Sequence, residues 1–131
     1  MDITHNDSVQ RPPFSGNSTY WITGHIVVAR CNFLMLLEVQ SIWSMEQCRL
    51  FIPGSAPVTG DEAAVSFDSL LADLARTQDQ LLSALAQASS KDLTVTKDDQ
   101  TVGEQLITYH AHESYHLGQL EILCQLIKSR I

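Results

Sequence analysis

Residues 101–127 read TVGEQLITYHAHESYHLGQLEILCQLI, and the spacing inside this stretch decides the fold. Stepping by four and three picks out Val102, Leu106, Tyr109, Glu113, His116, Leu120, Leu123 and Ile127, the seam of a helix packed into a bundle. Thr101 and Glu104 stand three residues apart, so the hydroxyl and the carboxylate can each satisfy a backbone N–H of the first turn. A long helix is therefore expected to open at Thr101 and run almost to Ile131. Glu113 and His116 interrupt its seam, and burying either without a partner costs on the order of several kcal/mol. The seam asks for a compensating ligand.

His112 and His116 supply the first hint of that ligand. Four residues apart on a helix, they lie about 40° from each other around the axis and converge on one point. Neutral imidazole is the commonest ligand of zinc and similar metals, and a pair at this spacing presents two donors together. The third donor must come from another element, and His25 is the candidate because it interrupts the apolar stripe of an earlier helix. His110 points roughly 160° away from His112 and is expected to face elsewhere; His5 is expected at the surface.

That earlier helix starts at a cap on Asn17 or Ser18, carries the stripe Ile22, His25/Ile26, Ala29, Phe33, Leu36/Leu37, and should end within residues 38–40. Residues 1–16 hold Pro12, Pro13 and Gly16 and read as an extended N-terminal arm, with one domain over residues 17–131. Residues 41–60 read as a connecting loop with room for one short helical turn. The next long helix begins between Thr59, which has Glu62 at capping-box spacing, and Ser66. Its stripe is Phe67, Leu70/Leu71, Leu74, Gln78, Leu81 and Leu85, ending around Ser89. Residues 90–100 form a polar link in which only residues 93–96 alternate like a strand, too few to build a sheet. The fold class is all-α.

Composition narrows the function. Eight basic residues against fifteen acidic ones give a formal charge of -7 with no basic stripe, which makes nucleic acid a poor candidate partner. The longest apolar run, residues 26–37, is broken by Arg30 and Asn32 and is shorter than the roughly 20 residues that cross a bilayer, so no membrane partner is expected. The first ten residues are polar and acidic, without a secretory pattern, and the cytoplasm is the expected location. Cys31, Cys48 and Cys124 are spaced for neither a disulfide framework nor a Cys-x-x-Cys site; they read as reduced packing thiols.

The string His112-Glu113-Ser114-Tyr115-His116 also matches H-E-x-x-H, in which the Glu is a peptidase general base. The longer form of that motif needs a glycine and then a histidine where this chain has Gln119 and Ile122. The peptidase reading therefore ranks last.

With Trp21-Ile22-Thr23-Gly24-His25-Ile26-Val27 in one helix and His112-Glu113-Ser114-Tyr115-His116-Leu117-Gly118-Gln119-Leu120 in another, the sequence resembles the DinB/YfiT-like family of metal-dependent helical-bundle proteins. The helix start Thr101-Val102-Gly103-Glu104 and the connector over residues 51–57 extend the likeness. The resemblance implies an up-down four-helix bundle with one divalent metal ion held by His25, His112 and His116. It further implies a small-molecule substrate and, in some members, thiol-dependent transferase or isomerase activity with a low-molecular-weight thiol cofactor. Metal-activated thiol or water would be the nucleophile, with Glu113 and Gln119 orienting imidazole or solvent. Three imidazoles suit zinc, nickel, iron or copper almost equally. A non-catalytic helical module, in which metal and dimer are structural, is the alternative. The family's bundle begins with a long helix, for which residues 1–16 leave little room. The resulting apolar groove predicts a homodimer in which a second chain covers it.

Overall fold

The computed structural model describes residues 3–13, 15–58 and 65–130. Three long helices make the frame: α2 (Thr19–Leu36), α4 (Phe67–Gln87) and α6 (Val102–Ser129). Short pieces lie between them. α1 (His5–Ser8) precedes α2, and α3 (Met45–Cys48) runs into a 3-10 turn over Arg49–Phe51. α5 (Ser90–Leu93) and a two-stranded hairpin, β1 (Thr96–Lys97) against β2 (Gln100–Thr101), lead into α6.

Each long helix starts where a side-chain oxygen can replace a missing backbone acceptor. The Ser18 hydroxyl accepts from the Trp21 N–H, Ser66 from Ser69 and Thr101 from Glu104. The expected box on Thr59 and Glu62 lies outside the described residues, and Ser66 caps the helix. α2 is buried without a break from Thr19 to Val28. That is the pattern of a helix enclosed on all sides rather than of one with a single apolar stripe. It is the middle member of the frame, with α4 and α6 packed against it. Tyr20 reaches Val65 while Arg30 reaches Leu74 and Thr77, so α2 and α4 run in the same direction. Phe33 meets Tyr109 while His25 meets His112 and His116, so α6 runs the opposite way.

Several expectations need correction. The N-terminal arm is not wholly extended: Thr4 and Asp7 form a capping box around the single turn of α1, which packs on α2 and α4. His5 is half-buried rather than a surface residue. The Phe67 N–H donates to its Nδ1 at 3.0 Å, and its ring meets Tyr20 edge-on at 5.6 Å. On α4, Gln78 is exposed and its neighbour Thr77 is buried, because the space there belongs to the head of Arg30. Of the alternating residues 93–96 only Thr96 lies in a strand, because Leu93 ends α5; the small hairpin follows, and its turn residues Asp98 and Asp99 both take positive φ, 55° and 67°. A type I′ turn, one of the two-residue turns that match strand twist, requires this at both positions.

No long helix precedes α2 among the described residues. Between α4 and α6 lies an apolar groove of about 470 Å³ lined by Leu71, Leu74, Leu117, Leu120 and Cys124, with Thr23 of α2 also on its wall. No described helix is long and apolar enough to cross a membrane. Cys31 and Cys124 are buried and Cys48 partly so.

Candidate metal centre

His25 projects from α2 toward α6, where His112 and His116 lie one turn apart. The Nε2 atom of His112 is 3.1 Å from Nε2 of His25 and 3.1 Å from Nε2 of His116. All three donor atoms fall within 4.8 Å of one another. Two nitrogens bound to one ion at about 2.0–2.1 Å with tetrahedral angles stand roughly 3.3 Å apart, so the spacing suits a shared ligand.

The tautomers point the same way. The Nδ1–H of His25 donates to the Phe51 carbonyl at 2.7 Å, and His116 Nδ1 lies 2.7 Å from Gln119 Oε1. A ring whose Nδ1 carries the proton offers its Nε2 lone pair. Two lone pairs then face His112 Nε2, and a single proton on that atom cannot serve both well, whereas one cation satisfies all three. His112 Nδ1 is itself buried without a hydrogen-bond partner, so its ring lacks the orienting contact that the other two have. The residues present thus form a group able to hold a metal ion.

Electrostatics favour the neutral form of two of the donors, His25 and His112. Burial pushes the His25 pKa down, against the Phe51 hydrogen bond, and the nearby His116 lowers it further. Burial also lowers that of His112, helped by His116 and His25 and opposed by Glu113. The indole of Trp21 stacks on the His25 ring at 4.7 Å and 14°, held by its own N–H to the Ser55 hydroxyl. Tyr115, 65% exposed, meets His116 edge-on at 5.1 Å.

Glu113 is engaged elsewhere. Arg30 donates to both its oxygens, Nε to Oε1 at 2.6 Å and Nη2 to Oε2 at 3.2 Å. The remaining guanidinium nitrogen donates to the Leu74 carbonyl at 2.8 Å. A carboxylate occupied at both oxygens is poorly disposed to take a proton from water, so the H-E-x-x-H string lacks the free base that peptide hydrolysis requires. His110 is exposed, and Tyr109 packs on Phe33.

Sequence reasoning missed Phe51 and Arg30 as parts of this region. Phe51 contributes through its backbone carbonyl, which leaves no trace in residue type. Arg30 did leave one, a lone cation within an apolar run and a natural complement to a seam glutamate.

A sequence model of the DinB superfamily matches residues 2–120. No curated protein matches the chain.

Proposed function

The chain belongs to the DinB superfamily, and from that membership and the three converging imidazoles we propose that it is a divalent-metal-dependent enzyme acting on a small molecule. The observation that carries this reading is the spacing of the Nε2 atoms, 3.1 Å from His112 to each of its two neighbours. Three protein donors leave a coordination position open, which is the habit of catalytic rather than structural sites. An ion bound there supplies Lewis acidity, drawing the pKa of a water or thiol toward neutrality.

The chain's own groups do the rest. Phe51 and Gln119 hold two imidazoles in the ligating tautomer. Trp21 shields one face of His25 from water. The chemistry favoured is transfer of a thiol to a small electrophile, with zinc, nickel or iron as the metal and a low-molecular-weight thiol as co-substrate. Elemental analysis of untagged protein should find one metal per chain. A cobalt-substituted sample should change its visible spectrum on adding a thiol. Metal content unchanged in His25→Ala would refute the reading; stoichiometric metal with a spectrum indifferent to thiols would favour the non-catalytic module.

The same reading includes a homodimer whose second copy covers the groove between α4 and α6. Glu121 and Lys128 both border it and lie two helical turns apart on one face of α6. Two α6 helices crossing antiparallel about a two-fold axis near Cys124 and Gln125 set each Glu121 against the partner chain's lysine, a self-complementary arrangement. Leu117, half exposed at 51%, would be shielded. Sedimentation should give a dimer at micromolar concentration that Lys128→Glu weakens; a stable monomer would refute it.

A further inference from the structure

Gly24 directly precedes His25 on α2, inside the unbroken buried run from Thr19 to Val28. A Cβ built on it would lie 2.3, 2.4 and 2.5 Å from Cδ1, Cε1 and Cγ of Phe51. The aromatic ring therefore rests on the bare α-carbon. It has no freedom to retreat, because Phe51 is 1% exposed, Trp43 stacks on it at 5.4 Å and Tyr20 lies at 5.7 Å. Trp43 is itself tied to α4 through its indole N–H, which donates to Asp73 at 2.8 Å. The 3-10 turn is thus pressed against α2 by a stack that begins on a different helix.

Phe51 is also the residue whose carbonyl accepts from His25 Nδ1 at 2.7 Å. Ring and carbonyl belong to one residue, so the depth at which the ring seats sets the position of the carbonyl. We infer that Gly24 is a positioning residue for the metal centre: by admitting the Phe51 ring against α2 it brings the Phe51 carbonyl to His25 and fixes the tautomer that turns Nε2 toward His112 and His116.

The size of the effect follows from the distances. Relieving a 2.3 Å contact to an ordinary 3.4 Å requires a shift of about 1.1 Å. The same shift directed along the hydrogen bond would stretch it from 2.7 Å to about 3.8 Å, beyond hydrogen-bond range. A histidine ligand that loses its outer partner typically loses about 10–100-fold in metal affinity. The inference rests on the metal reading above, but its first readout does not need the metal.

Nitrogen-15 NMR of the metal-free protein reports the tautomer of His25 directly. In the wild type the ring should carry its proton on Nδ1; a proton on Nε2 overturns the inference whatever any variant does. Gly24→Ala should mix or reverse the tautomers and weaken cobalt binding at least tenfold. A folded Gly24→Ala with the original tautomer and affinity within twofold overturns it. Where that variant does not fold, Gly24→Ala combined with Phe51→Ala decides, since it restores the space and keeps the carbonyl. Its recovery of the wild-type tautomer supports the inference, and a double variant that folds without recovering it, or does not fold, overturns it. Wild-type protein that shows the Nδ1–H tautomer yet binds no cobalt refutes the metal reading while leaving the positioning role standing.

Discussion

Replacing Glu113 by Gln removes the charge that the Arg30 guanidinium faces while keeping the side chain's shape. Arg30 is only 12% exposed at its side chain and Glu113 28%, so the pair sits between surface and interior. Removing one partner of a fully buried pair costs about 3–5 kcal/mol, and a surface pair is worth about 0–1. The solvent reaching Glu113 and the two further bonds of Arg30, to Leu74 and Thr77, bring the expected loss to about 2 kcal/mol. At roughly 2.1 cal/mol/K per residue, a chain of this length has an unfolding entropy near 0.28 kcal/mol/K, so Tm should fall by about 7 °C. Metal content should not change, because Glu113 orients none of the imidazoles. Replacing both partners by apolar residues, Arg30→Met with Glu113→Leu, should recover most of the loss, since a hydrophobic substitute for a buried pair is often neutral or better. Calorimetry and elemental analysis on the three proteins check this. A Glu113→Gln protein with unchanged Tm but lost metal would overturn the assignment of Glu113 to the helix frame.

Gly118 lies mid-helix on α6 with nothing within 4 Å of a built Cβ; Gly118→Ala should stabilise by about 1 kcal/mol, read as a higher urea midpoint with metal affinity untouched. Gln119→Leu removes the partner of His116 Nδ1 and should weaken metal binding about 10–100-fold while leaving the far-ultraviolet spectrum unchanged; affinity within twofold would refute that role. The pKa values of His25 and His112 are lowered by folding, so below the ordinary value of about 6.5 the unfolded chain takes up protons before the folded one does. The stability tied to these rings is therefore complete above about 6.5 and is lost as pH falls from there through their folded values. Denaturant midpoints of the metal-free protein should drop on acidification through this window, and less so in a His25→Ala, His112→Ala variant.

The sequence disclosed what depends on side-chain identity and periodicity. The cap at Thr101 and the seam of α6 were readable because both rest on local geometry, as was the start of α2 to within the pair Asn17 and Ser18, of which Ser18 is the cap. The imidazole group was legible as three polar interruptions of apolar faces. What stayed hidden depends on tertiary placement. The choice of Thr77 over Gln78 as the inward residue turns on where the Arg30 head comes to rest on α4. The contact of His5 with Phe67 joins segments 62 residues apart, and no local pattern announces it. The Phe51 carbonyl is a group that every residue carries.

Arg30 grasps the backbone of α4 and the carboxylate of α6 at once, from a root on the helix between them. One side chain thereby limits how far the two outer helices can splay, the duty that a fourth helix would otherwise share. A frame cinched at its waist has two ends that open independently. The end near Phe33, Leu85 and Leu106, where a smaller hollow of about 110 Å³ remains, can loosen without dragging the imidazoles apart. Amide exchange along α6 is accordingly expected to be quicker around Leu106 than around Leu120, with the boundary falling at Glu113.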